Sequence, residues 1–384
     1  MGFMRFGGML LAALLVTTAC ADRSAVESTE GALRVEARAN AVAYDFAQRT
    51  NLIHGISGDS QLVFVTEAMA GRVIVLDRFT GVEVAQVAPP PGGWILPFTL
   101  RVPREGRLVV MDTGGFPSPT APVVPRVYDV DYQYDALRRS FRSNIARTVR
   151  FDGLPTGYSE DLEVTRSGDY ILTDSILGSI WVIRANGAIV PAIVPALSGV
   201  SVPMLAPCGF PGTTIDGIRF TTAGDFAPGV GSVGADDTHL YFATTCNGGI
   251  HRIPLSTLTS PRLSMTQRAR AIETVSPRAA GAVESLKGLT FNRFDPSDRA
   301  LYAVDTIQRR VFRVNTRTGA REILARDPRL FDFPVAAQFL PPVAGQTVLV
   351  VSSDQEYRLA ALNPSISEDL FESPFVIAKV HIFR

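Results

Sequence analysis

The sequence predicts an all-β fold, a six-bladed β-propeller with four-stranded antiparallel blades around a central channel, on two observations. The stretch from Ser159 to Ile183, SEDLEVTRSGDYILTDSILGSIWVI, reads as three short strands separated by tight polar turns, one antiparallel sheet unit. The turn residue Asp174 marks a slot that recurs at Glu67, Asp112, Thr244, Asp305 and Ser353, at spacings of 45 to 70 residues. Six residues after the slot a Val, Ile or Leu opens the next strand; in the second copy a Pro-rich insertion replaces the short turn. A repeat near fifty residues without helical periodicity is the signature of propeller blades.

A chain of 384 residues exceeds the usual size of one core, but a propeller escapes that limit by repeating a small unit around an axis. Charged residues make up 19% and apolar ones 46%, with 32 Gly and 26 Pro, the composition of a turn-rich β protein. The 37 acidic and 37 basic residues cancel and no basic run occurs, which excludes an electrostatic nucleic-acid partner. Lys287 and Lys379 are the only lysines in an Arg-rich chain.

Residues 1–19, MGFMRFGGMLLAALLVTTA, carry Arg5, a short apolar run and then small residues, the pattern of a secretory signal. The run is too short to span a bilayer comfortably. TTAC, ending at Cys20, resembles the bacterial lipoprotein signal, although Thr17 stands where Leu is usual. The resemblance implies lipidation at Cys20; ordinary cleavage near Ala19 or Ala21 is the alternative. Residues 20–32 read as a tether, and residues 33–384 as a single propeller domain. The expected setting is the bacterial cell envelope, outer membrane or periplasm-facing, with a monomeric chain held by its lipid anchor.

Residues 33–47 fit either a strand that closes the ring or a short outer helix. Blades follow at 51–88, 95–145, 158–195, 214–259, 285–326 and 333–383, with long loops at 113–126, 190–213 and 223–237. Cys208 and Cys246 remain in the mature body, and an even pair in an exported chain predicts a disulfide. Two unpaired thiols are the alternative.

No Walker loop, dinucleotide fingerprint, paired-Cys zinc site or HExxH is present, and GISGDS lacks the spacing of a nucleophile elbow. The slot acids follow a strand and precede a turn, where a carboxylate accepts turn amides, so their task is structural. The innermost strands are phased by alternation: LIHGIS, PFTLRV, SEDLEV, IDGIRF, LKGLTF and PVAAQF fall into register. The position ahead of each strand is then His54, Phe98, Glu160, Asp216, Lys287 and Val335, and in a propeller these converge on one mouth of the channel.

On these residues the chain resembles the six-bladed propellers of the gluconolactonase, senescence marker protein and luciferin-regenerating enzyme family, with a further likeness to NHL repeats and strictosidine synthase-like proteins, over about residues 50–383. In that family acidic and Asn side chains at inner-strand starts hold a divalent metal, commonly calcium, that polarises a lactone or ester carbonyl. The resemblance implies metal ligation by Glu160 and Asp216 and a ligand or general-base role for Asp216, with His54 or a carboxylate steering water. Lys287 departs from the pattern, and the expected Asn is missing. Its ammonium could neutralise both carboxylates in place of a metal. Three readings stay open: a metal-assisted lactonase or esterase with His54, Asp216 and Lys287 catalytic, a metal-free propeller binding a small ligand, peptide or envelope protein, and a scaffold.

Overall fold

The computed structural model describes residues 41–116, 123–210, 212–221, 227–246 and 248–383. The signal, Cys20 and the tether lie outside the described residues. Six four-stranded antiparallel sheets stand around a common axis. Their inner strands are Ile56–Gly58, Pro97–Arg104, Ser159–Val164, Val230–Ala235, Leu286–Phe291 and Pro334–Val343, each packed beside its neighbours and the last beside the first.

The second strands are Leu62–Glu67, Arg107–Asp112, Tyr170–Asp174, His239–Thr244, Ala300–Asp305 and Gln346–Ser353, so every slot residue is the last residue of its blade's second strand. The structural task expected of the slot acids is visible in the bonds of Asp112, Asp174 and Asp305, whereas Glu67 accepts instead from the side chains of Arg49, Asn51 and Arg72. Asp112 accepts from the amides of Ile95, Leu96 and Gly114, and Asp174 from those of Gly157, Tyr158 and Leu177. Each carboxylate ties the chain entering a blade to the turn leaving its second strand. The apolar faces of adjacent blades fill the space between them, as where buried Trp181 of the third blade meets Phe151, which follows the outer strand of the second. Each such large side chain contributes about 1.5–3 kcal/mol of transfer free energy.

Of the two possibilities for the N-terminal segment, the ring-closing strand is the one observed. Ala41–Arg49 pairs antiparallel with Phe375–Ile382 and becomes the outer strand of the sixth blade. Cys208 and Cys246 form a disulfide with their Cα atoms 5.6 Å apart.

The fourth blade differs from its expected bounds. Its inner strand is Val230–Ala235, inside the segment read as a Gly-rich loop, and its outer strand is Glu273–Ser276. IDGIRF instead belongs to a separate two-stranded hairpin, Thr213–Ile215 with Ile218–Phe220. The physical reason is its Asp-Gly pair: Asp216 and Gly217 have φ of 49° and 81°, the left-handed pair that a two-residue hairpin turn requires.

Candidate channel-mouth site

One register rule builds the mouth. In five blades the slot residue pairs with Pro97, Ser159, Val230, Leu286 or Pro334. The next residue points into the channel, and in four of these blades it is skipped by the ladder as a bulge, a device that re-aims a side chain. The mouth ring is therefore His54, Phe98, Glu160, Gly231, Lys287 and Val335. His54, Glu160 and Lys287 come together as expected; Asp216 does not. The fourth position is glycine, and a Cβ there would lie 2.8 Å from the Glu160 carboxylate, so the missing side chain leaves the room that Glu160 fills.

Lys287 Nζ lies 2.8 Å from Glu160 Oε1 and 3.0 Å from Oε2 of Glu356, all three residues being buried. Burial alone would lower the lysine's pKa, but the two carboxylates overcome it and hold the ammonium charged. Burial raises Glu160, with Lys287 opposing.

Glu356 and its neighbour Asp354 come from a segment the repeat pattern does not reach, directly after the sixth slot residue. Gln355 between them takes a left-handed φ of 58°, held by its side-chain amide, which donates to the Glu372 carbonyl and accepts the Glu372 N–H. That conformation costs free energy in a non-glycine residue and turns both acids inward. Asp354 Oδ1 accepts the Glu356 amide at 3.1 Å.

His54 faces these acids. Its ring stacks on Phe98 at 3.5 Å, and Nδ1 lies 3.2 Å from the Phe98 carbonyl. A carbonyl only accepts, so Nδ1 carries the proton and Nε2 presents a lone pair. Burial, with the charge on Lys287, pushes the imidazole well below the ordinary histidine range, and it is neutral at pH 7. Nε2 stands 3.9 Å from Asp354 Oδ2 and 3.7 Å from Glu356 Oε1. Neither Nε2 nor Asp354 Oδ2 has a hydrogen-bond partner among the described residues. Burial and the charge of Glu356 raise Asp354 well above the usual carboxylate range.

The donor set decides how a cation fits. Calcium between Glu160 and Asp216 does not assemble, because Asp216 lies on the hairpin turn and Glu160 is engaged by Lys287. His54, Asp354 and Glu356 do converge, their donor atoms lying within 4.8 Å of one another. Separations of 3.7 and 3.9 Å exceed a hydrogen bond, and two ligands of one ion stand roughly 3–4 Å apart. A histidine whose other nitrogen donates to a backbone carbonyl is the usual form of a metal-ligating imidazole. One nitrogen with carboxylates suits Mn²⁺ or Zn²⁺ better than calcium, which takes oxygen.

Asp216 has different company. Its half-exposed carboxylate pairs with Arg309, accepts the Tyr357 hydroxyl at 3.0 Å and lies 3.6 Å from Arg358, and the Arg309 bond is the main cause of its lowered pKa. Lys379 also sits away from the mouth. Its ammonium lies 3.6 Å over the Phe46 ring, and burial lowers its pKa to about 8.

No protein-family model matches the chain, and no curated protein matches it. Solved structures do. A gluconolactonase of Xanthomonas campestris superposes with a TM-score of 0.52 at 11% identity, covering 91% of this chain and 97% of that one. A luciferin-regenerating enzyme gives 0.52 at 9%, covering 87% and 92%. A streptogramin B lyase gives 0.50 at 13%, covering 90% and 99%. The chain shares the six-bladed propeller of these proteins. Identities this low carry the fold and not the chemistry.

Proposed function

We propose that the protein is a small-molecule hydrolase of the lactonase or esterase type, working at the channel mouth on a divalent cation held by His54, Asp354 and Glu356. One observation carries the reading: three buried donors from two segments far apart in sequence converge, and His54 Nε2 has no hydrogen-bond partner among the described residues. Leaving such groups unpaired costs about 1–3 kcal/mol each, a penalty that a bound ion removes. A divalent ion there supplies Lewis acidity toward a carbonyl and lowers the pKa of bound water.

The chain's own residues do the rest. The Phe98 carbonyl fixes the His54 tautomer. Lys287 holds Glu356 in place, and an ammonium with three donors has one left to stabilise a developing oxyanion once Glu160 and Glu356 take two. Burial and the charge of Glu356 favour the protonated form of Asp354, so cation binding there would be linked to proton release. Phe98 and Val335 are the buried apolar members of the mouth ring. In this reading residues 1–20 export the protein and anchor it by Cys20 in the cell envelope.

A second reading, a propeller that binds a small ligand without turning it over, is favoured by Lys287 already bridging Glu160 and Glu356. One experiment separates the two: calorimetric titration with Mn²⁺, Zn²⁺ and Ca²⁺, followed by a lactone and aryl-ester panel. The hydrolase takes up one ion, releases about one proton and turns over substrate. His54→Gln with Asp354→Asn weakens uptake at least about tenfold. A folded wild type with neither uptake nor turnover removes the hydrolase reading, and ligand binding without turnover selects the second.

A further inference from the structure

We propose that the hairpin Thr213–Phe220 is a gate over the channel mouth, latched by Asp216 and hinged near the Cys208–Cys246 disulfide, and that small molecules reach the mouth only when it lifts. The inference rests on reading the mouth as the functional site. His54, Glu160, Lys287 and Glu356 are each at most 5% exposed. The cavity lined by His54, Glu160, Gly231, Lys287, Arg101 and Asp161 has a volume of about 10 Å³, enough for one water and for no organic substrate. Something must move for any lactone or ester to enter.

The blades are poor candidates, because each inner strand is locked into a four-stranded sheet and packed on both sides. The hairpin pairs only with itself. Its Ile215 and Phe220 pack with Phe210, Phe333, Tyr357 and the mouth residue Val335, and the Phe210 ring lies 5.6 Å from Lys287 Nζ. This aromatic layer separates the charged mouth from solvent. Two polar ties hold it down: the Asp216 cluster with Arg309, Arg358 and Tyr357 at the turn, and Asn363 donating to the Arg219 carbonyl at 2.9 Å. The Asp216 side chain is 44% exposed, so the latch is a partly solvated ion pair, worth little enough to break thermally and enough to bias the closed state. The disulfide fixes Cys208, two residues before Phe210, to Cys246 beside the end of the fourth blade's second strand. The covering layer can swing from that point without leaving the mouth. Asp216, expected on an inner strand as a ligand, thus acts here as a positioning residue.

The test reads access and not catalysis. A Val335→Cys reporter is alkylated with iodoacetamide in the full chain, with and without Asp216→Asn, beside an Ala303→Cys reporter in the core of the fifth blade. Asp216→Asn should speed labelling at position 335 about two- to fivefold, the range set by a partly exposed ion pair, and leave position 303 unchanged. Equal rates at 335 with and without Asp216, or parallel acceleration at both positions, overturns the gate. Hydrogen exchange on the unsubstituted protein gives a second reading: once lifted, an isolated two-stranded hairpin is marginal in water, so the amides of Ile215, Ile218 and Phe220 should exchange through an opening that leaves those of Val233 and Leu289 protected. Equal protection overturns the proposal. Both readouts hold for a protein that hydrolyses nothing, so they stand apart from the hydrolase test.

Discussion

Two rings of equivalent positions lie a few ångströms apart in this propeller, and they behave in opposite ways. The slot ring, at the ends of the second strands, is chemically repetitive: acids at four positions, hydroxyl residues at Thr244 and Ser353. Asp112, Asp174 and Asp305 accept amides of their own blade. The mouth ring, set one residue beyond the slot's partner, has no two residues alike, and its polar members bond across blades or stay unpaired. Backbone geometry is the same in each blade, so a side chain that serves the backbone repeats. A side chain that serves something at the axis has one place to be, and it differs from its five equivalents.

The largest expected effect separates the rings by their demand for charge. Lys287→Met leaves Glu160 and Glu356 buried without a cation and should cost about 3–5 kcal/mol in denaturant unfolding. Added Mn²⁺ should restore part of that loss by replacing the ammonium, and a loss below about 1 kcal/mol would mean that the mouth charges are not paired as described.

Asp174→Ala probes the other ring. It strips acceptors from the amides of Gly157, Tyr158 and Leu177 and should cost about 2–4 kcal/mol. Mn²⁺ should give no rescue, and uptake per folded molecule should be unchanged. Metal rescue of this variant would erase the distinction between the rings.

The smallest effect is a slope. His54 is held neutral by burial, so below about pH 6.5 the unfolded chain takes up a proton that the folded one refuses. Stability therefore rises with pH in this window and is lost as pH falls, by at most about 1.4 kcal/mol per pH unit for one histidine. His251, lowered to about 4 by burial, adds its own share in both proteins compared. Urea midpoints between about pH 6.5 and 5 in the presence of a chelator should fall less steeply in His54→Phe than in wild type. Identical slopes would place the His54 proton elsewhere.

The fold was legible because strand alternation and the slot repeat both act at short range, and five of six mouth positions followed from phase alone. The fourth failed for a local reason. Asp216-Gly217 between apolar residues is the strongest short hairpin signal, yet it also resembles the acidic start of an inner strand. Chain distance could have exposed the error, since Asp216 lies about twice as far before Thr244 as the mouth residues of the first three blades lie before their slots. Asp354 and Glu356 were missed because chemistry was sought on inner strands only. Two acids flanking one residue directly after the sixth slot, where other blades place an ordinary turn, were the available signal. The convergence of those acids with His54 depends on ring closure, which no local pattern reports.

That closure gives the molecule an order of assembly. Ala41 pairs with Ile382 and Arg49 with Phe375, so the first described strand finds its partner only when the last is in place. Five blades can form from neighbouring segments as they arise; the sixth is a clasp between opposite ends of the chain. Joining such distant strands costs loop-closure entropy with nothing returned until the final pairing, which makes the clasp a late and slow event. His54 follows the clasp strand by five residues, whereas Asp354 and Glu356 lie between the strand Gln346–Ser353 and the clasp's partner, Phe375–Ile382. The three converging donors are therefore contributed from either side of the seam, and an open ring has no complete set. Fastening the clasp therefore also completes the proposed cation site, and an ion bound there would be a rivet across the joint.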